Sequence, residues 1–312
     1  MRSLWVAGAI LVALGCGGAD GDPGGSGAAG PGSSNSSSGA GAGGSGGEAA
    51  SSGAGAGGAS SSSGAGGAGG EGTASGGAGS GGSPAPEGLP DVGSLVVLGD
   101  SISDGGGQGP YYYNLLRSSL ETFYGKTLSY SRKAQSGSKT SALVGQVNSL
   151  PGSLPGPVVV TITSGGNDMK DNLVAILAGL DGPARQQMGS NIASALDALL
   201  APGRFGAGVE VHVFYANIYD ASDGQGNYAS GGCTINIDSP GSTDPYFDNW
   251  NGEIALRLGT AGQVLADMHM HFDGHGFNHP PKWYANDCTH PNTTGHAQVE
   301  AMFYELITGA TL

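Results

Sequence analysis

Short apolar runs of strand length recur along the chain and alternate with segments whose apolar residues follow helical spacing. Residues 95–98 form the first run, 127–130 a weaker second, 158–163 a strongly β-branched third, 209–215 a fourth and 263–269 a fifth. Around them the spacing predicts helices over 112–123, 140–150, 172–180, 185–200, 246–258 and 292–307. Within 185–200, Met188, Ile192, Ala195 and Leu199 recur on one face. Strands that alternate with helices specify a parallel sheet covered on both sides. Nearly continuous apolar strands agree with burial on both faces. The pattern therefore predicts an α/β protein, a three-layer α/β/α sandwich around five parallel strands.

The first ninety residues show no such pattern. Met1-Arg2 is a basic start, and the apolar run 4–14 is too short to span a membrane but suits an export signal. Ala13-Leu14-Gly15-Cys16 resembles a bacterial lipoprotein cleavage box, in which Cys16 becomes lipidated and the new N-terminus. Ordinary cleavage and full secretion is the alternative. From residue 16 to about 90 the chain is almost entirely Gly, Ala and Ser, with nothing to bury against the entropy of ordering. We expect a signal over 1–15, a flexible tether over 16–90 and one folded domain over 91–312, held at the bacterial cell envelope. Gly43-Gly44-Ser45-Gly46-Gly47 matches the G-x-S-x-G nucleophile elbow formally, but no strand precedes it and no helix follows.

Charge narrows the possible partners. The formal net charge is −14, and the folded part carries no basic stripe that would hold nucleic acid or anionic lipid headgroups. Membrane contact is expected through the lipid anchor alone. With Cys16 lipidated, Cys233 and Cys288 remain of the three cysteines, and an exported protein can pair them. Two free thiols are the alternative.

The chemistry concentrates at strand ends. Gly99-Asp100-Ser101 follows the first strand, Gly165-Gly166-Asn167-Asp168 follows the third, and Asp287-Cys288-Thr289-His290 precedes the last helix. Serine is a weak nucleophile until a base takes its proton. His290 can act as that base if a carboxylate holds its other ring nitrogen, and Asp287 is three residues away. Asn167 offers a neutral donor to a developing oxyanion. Taken singly, Asp-x-x-His before Pro291 is a plain helix start and Gly-Asn-Asp a plain turn. Asp168 is expected to bond loop N–H groups.

These three blocks, in this order, resemble the SGNH hydrolases, or GDSL esterase/lipase family, over about residues 95–309. The resemblance implies Ser101 as nucleophile, with Asp287 and His290 completing its triad. It implies an oxyanion hole from Asn167 and the N–H groups of Ser101 and Gly137, the glycine that best matches the family's loop block. It also implies a five-stranded sheet of flavodoxin-like order, no cofactor, and an ester as the partner molecule. Ile102 stands where the family name has leucine. We expect a monomeric serine esterase acting on short acyl esters such as acetyl esters. A lipase or lysophospholipase, and a non-catalytic binding lipoprotein, are the alternatives.

Two further clusters invite a metal. His269, His271, His275 and His279 lie close together, but no recognisable ligand set completes them, so we expect pocket-rim or loop roles and no metal. The segment 220–227 faintly resembles a calcium loop but lacks the spacing and the terminal Glu. The segment 104–109 is not a phosphate loop and is expected to form a flexible lip beside Ser101. Tyr111, Tyr112 and Tyr113 can either stack on substrate or pack at a helix start.

Overall fold

The computed structural model describes residues 87–312. Cys16 and the predicted signal and tether up to residue 86 lie outside the described residues. Five strands form one parallel sheet: β1 (Ser94–Gly99), β2 (Ser129–Arg132), β3 (Val158–Thr163), β4 (Val211–Ala216) and β5 (Val264–Ala266). Their order is β2-β1-β3-β4-β5, the flavodoxin-like order. Ser94 pairs with Ser129 on one side and Val158 on the other, Val158 with Val211, and Phe214 with Val264.

The two faces of the sheet bury different side chains because strand residues alternate. Leu95, Val97, Val159 and Phe214 pack against α1 (Tyr112–Tyr124) and, beyond it in the chain, Val299 and Phe303 of the last helix. Val96, Leu98, Val160, Ile162 and Val213 point the other way. They meet α2 (Leu143–Asn148), then α3 (Gly166–Asp171) and α4 (Leu173–Leu177) near the sheet's C-terminal edge, and the long α5 (Gly182–Leu200) and α6 (Asp244–Ala261). After β5 come α7 (Met268–Phe272) and α8 (Thr293–Thr308). This is the three-layer sandwich the pattern predicts. Residues N-terminal to β1 join it too, since the Leu89 N–H donates to the Ile307 carbonyl at 2.7 Å.

Local signals explain most element ends. In α1, Tyr112, Leu116 and Leu120 fall on one buried face, and Gly125 in the left-handed region closes the helix. Prolines occupy the first turns of α5 and α6. The Asn292 side chain caps α8 by accepting from the Gly295 N–H at 2.9 Å.

Three elements differ from the sequence expectation. The second strand is Ser129–Arg132 rather than 127–130: it is a half-exposed edge strand, so its polar residues take the pairing while Leu128 drops into the core ahead of it. The fifth strand stops at Ala266 rather than 269, because Asp267 caps a new helix by accepting from the Met270 N–H at 3.2 Å. His269 and His271 therefore sit on α7, two residues apart on a helix, and do not share a strand face. The predicted helix 172–180 begins earlier, at Gly166, and breaks at Asn172 into α3 and α4.

The joint between β1 and its loop is one of the tightest contacts in the fold. Gly99 has φ +120°, and a Cβ there would lie 1.9 Å from the Thr163 carbonyl oxygen, so only glycine fits. The buried Gln146 side chain brackets this residue. The Gly99 N–H donates to Gln146 Oε1 at 2.8 Å, and Gln146 Nε2 donates to the Gly99 carbonyl at 2.8 Å. Gln146→Leu leaves the Gly99 N–H without its acceptor, while the Gly99 carbonyl keeps the Gln135 N–H and the Ser138 hydroxyl, and should lower stability by about 1–3 kcal/mol. Denaturant unfolding checks this, and a loss below about 1 kcal/mol would show that the bracket is dispensable.

Candidate active site

Directly after Gly99, Asp100 starts a single 3₁₀ turn, Ser101–Ser103, by accepting from the Ile102 N–H at 3.1 Å. The turn lifts Ser101 out of the sheet at the C-terminal edge of β1. Asp100 is held by β3 as well: its N–H donates to the Thr163 carbonyl at 2.8 Å, and Thr163 Oγ1 donates to Asp100 Oδ1 at 2.9 Å. With that hydroxyl proton committed, Ser103 donates to Thr163 at 2.8 Å and Tyr112 to Ser103 at 2.6 Å. A buried chain of three hydroxyls thus points at one carboxylate. Burial pushes Asp100 up to about 6, while the bonds from Thr163 and Ile102 resist that rise.

His290 reaches Ser101 from the far end of the chain. The Ser101 hydroxyl donates to His290 Nε2 at 2.8 Å, and His290 Nδ1–H donates to Asp287 Oδ2 at 2.6 Å. Asp287 Oδ1 accepts from the N–H groups of Thr289 and His290 at 2.9 and 3.0 Å. Partial burial pushes the Asp287 carboxyl up, but the bonds from the His290 ring and these two amides outweigh it and hold the group below the usual carboxylate value. Asp287 is therefore ionised where imidazole works as a base.

The turn that carries this pair is fastened from several sides. Cys288 forms a disulfide with Cys233 across 55 residues, a closure worth about 4 kcal/mol on the chain-entropy model. Thr234 Oγ1 donates to the Asp287 carbonyl at 3.0 Å, and the buried Tyr219 hydroxyl donates to the Thr289 carbonyl. The Ala285 N–H donates to the His290 carbonyl at 2.8 Å. Cys288 has φ +55°, a left-handed conformation that costs a non-glycine residue free energy and persists only when its surroundings impose it.

Gly106 closes the triad from above. Its N–H donates to the Ser101 carbonyl at 2.7 Å, and its carbonyl accepts from Nε2–H of the fully buried His296 at 2.9 Å. Burial lowers the basicity of His296, so it serves as a neutral donor. A Cβ on Gly106 would meet His290 Cδ2 at 2.5 Å and the Ser101 carbonyl at 2.8 Å. The segment 104–109 is thus a backbone wall against the imidazole ring.

The oxyanion side is built from two loops. Asn167 stands in the first turn of α3, and its Nδ2 donates to the Ser138 carbonyl at 3.0 Å. Its second amide hydrogen is left for another acceptor. Asp168 behaves as expected of it: it accepts from the Thr140 N–H at 2.9 Å and the Thr140 hydroxyl at 2.7 Å. Ser101 and Asn167 line the same pocket, whereas Gly137 lies on the adjoining loop, one residue before Ser138, and does not line it. Among the described residues, no acceptor takes the N–H of Ser101 or Gly137.

The remaining candidates go elsewhere. His275 stacks on Trp283 at 3.6 Å, His279 pairs with Asp223, His269 stacks on Phe247 and His271 leans on Trp283. Among the described residues, no group of three or more His, Cys, Asp or Glu could hold a metal ion. In 220–227 the Asp220 carboxylate is filled by Ser222, Gly224, Tyr228 and Thr243. Tyr112 and Tyr113 are buried, and none of the three tyrosines lines the pocket. Sequence reasoning missed Gln146 and Tyr219. Gln146 had a signal, a polar residue on the same helical face as Leu143, Val147 and Leu150.

A serine, histidine and carboxylate in hydrogen-bonded series, set beside an asparagine on a doubly wound sheet, define a class of acyl-transfer site. The chain belongs to the GDSL-like lipase/acylhydrolase family, whose model matches residues 97–298. Among solved structures, it is similar to a protein from Parabacteroides merdae described as a GDSL-like lipase, at 16% identity and a TM-score of 0.51, over 72% of this chain and 99% of that one. It also matches a lipase from a goat rumen metagenome, at 20% identity and a TM-score of 0.48 over 69% of this chain and 97% of that one. An acetyl xylan esterase from Geobacillus stearothermophilus matches at 16% and 0.48 over 71% and 98%. At these identities the likeness concerns the fold. No curated protein matches the chain.

Gly106→Ala forces the ring of His290 away from Ser101, and a displacement of about 1 Å can cost about 100-fold in rate. Turnover of a short chromogenic ester should fall by that order while circular dichroism stays native. Near-normal turnover would show that the wall yields without moving His290.

Proposed function

We propose that the protein is a serine esterase working through an acyl-enzyme on Ser101. The supporting observation is the continuous series from the Ser101 hydroxyl through His290 to Asp287. His290 Nε2 takes the hydroxyl proton as Ser101 attacks the ester carbonyl, and Asp287 stabilises the imidazolium that forms. The second amide hydrogen of Asn167 and the N–H groups of Ser101 and Gly137 receive the oxyanion. The proton on His290 passes to the leaving alcohol. Water, deprotonated by the same nitrogen, then releases the acid and restores Ser101. The carboxylate binds no substrate in this scheme; it holds the tautomer that leaves Nε2 free. A binding protein that had kept only the fold would lack a member of this series.

Ser101→Ala and His290→Ala should each lower kcat on p-nitrophenyl acetate by about 10³-fold or more, and Asn167→Ala by about 10²–10³-fold. Ser101→Ala retaining near-normal turnover would reject the assignment.

We further propose attachment to the cell envelope through a lipid on Cys16, supported by the apolar run that ends at that residue and the Gly/Ala/Ser segment after it. Cys16→Ser should move the protein from the membrane to the soluble fraction with unchanged specific activity. Continued membrane partition of the substituted protein would exclude the anchor.

A further inference from the structure

Beside Ser101 the sheet edge opens into a cavity of about 140 Å³. One wall is α4, which contributes Leu173, Ile176 and Leu177. The segment after Cys233 contributes Ile235 and Ile237, and Ile218 beyond β4 adds to the lining. Ser101 and Asn167 line the same cavity, and most of the lining is apolar. The charged side chains on the lining are the buried, hydrogen-bonded Asp100 and the exposed Lys170.

Such a hollow is poorly matched to an acetyl group, which would leave most of it filled with water that the aliphatic walls cannot hydrogen-bond. It is equally poorly matched to a sugar acyl donor, whose hydroxyls would lose their water partners among leucines and isoleucines. It suits a hydrocarbon chain whose carbonyl end is at Ser101.

We propose that this cavity is the acyl site and that it selects esters of medium-chain fatty acids, about six to eight carbons long, over acetyl esters. The proposal rests on the serine-esterase reading of Ser101. The length follows from volume: a dry apolar cavity of about 150 Å³ accommodates a six-carbon ring, and the half-open mouth leaves room for a little more. The Cys233–Cys288 disulfide gives this selection a structural basis. It joins the wall bearing Ile235 and Ile237 to the turn bearing His290, and Cys288 itself lines the cavity. One covalent link therefore couples the segment bearing Ile235 and Ile237 to the turn bearing the base.

The test is kcat/KM of the full chain on p-nitrophenyl esters from acetate to palmitate, each below its aggregation concentration. It should rise by about fourfold per methylene from acetyl to hexanoyl, the ratio that burial of one CH₂ gives, and fall beyond decanoyl. Leu173→Trp and Ile235→Trp, on separate elements of the lining, should each lower the hexanoyl-to-acetyl ratio by about tenfold or more. A flat profile, or a maximum at acetyl, would overturn the acyl-site proposal and leave the esterase standing. If no ester turns over, the esterase reading fails, and calorimetric titration of the Ser101→Ala protein with p-nitrophenyl hexanoate and acetate decides the cavity. Tighter binding of hexanoate upholds it, and equal binding overturns it.

Discussion

The hydrogen bond from the Ser101 hydroxyl to His290 Nε2 joins residues 189 positions apart, and most of the unusual local structure exists to hold its two ends. A bond of this kind tolerates little error, since a shift of about 1 Å undoes it. On the serine side the chain cannot drift: Gly99 is pressed against β3, clasped by Gln146 and followed by an aspartate bonded to both β3 and its own turn. On the histidine side no strand is available. There the protein uses a disulfide, two carbonyl anchors and the paired amides on Asp287. Gly106 spans the two sides, bonded to Ser101 and packed on His290.

Two carboxylates near this bond have opposite environments. Asp100 is enclosed by the sheet and the hydroxyl chain, and burial raises it to about 6. Asp287 is more open and receives the imidazole and two amides, which hold it low. Environment, not residue type, separates a carboxylate that organises the nucleophile's turn from one that pairs with the base. Both are ionised at neutral pH, yet only Asp287 touches the histidine ring.

How much of this could be read along the chain follows from where each element lies. The central strands β1 and β3 are buried on both faces, so their apolar runs mark them to within a residue or two. β2 and β5 are edges, where burial exerts little pressure, and there the apolar runs 127–130 and 263–269 mislead. The triad residues were legible because the family's blocks are short and local, and Asp287 and His290 share one turn. Gly106 was not, because its requirement comes from a ring contributed 184 positions later. The cavity walls were equally hidden. Residues 173–177 look like any apolar helix, and Ile235 and Ile237 look like loop residues, until the fold brings them to one cavity.

That separation is itself informative about how the site is put together. Ser101 and Asn167 stand just past the ends of β1 and β3, where the sheet fixes them, and Asp287 and His290 stand on a cross-linked turn. The cavity walls are one short helix and one loop, elements that tolerate change without disturbing the sheet. Such an arrangement lets the shape of the cavity vary through α4 and 233–239 while Ser101 stays in place. The disulfide limits that freedom on one wall only. The loop after Cys233 is tied by the disulfide to the turn at Cys288 that carries His290, whereas α4 is joined through Asn172 to the helix carrying Asn167. The α4 side of the cavity is therefore the one with no covalent tie to the turn that carries His290.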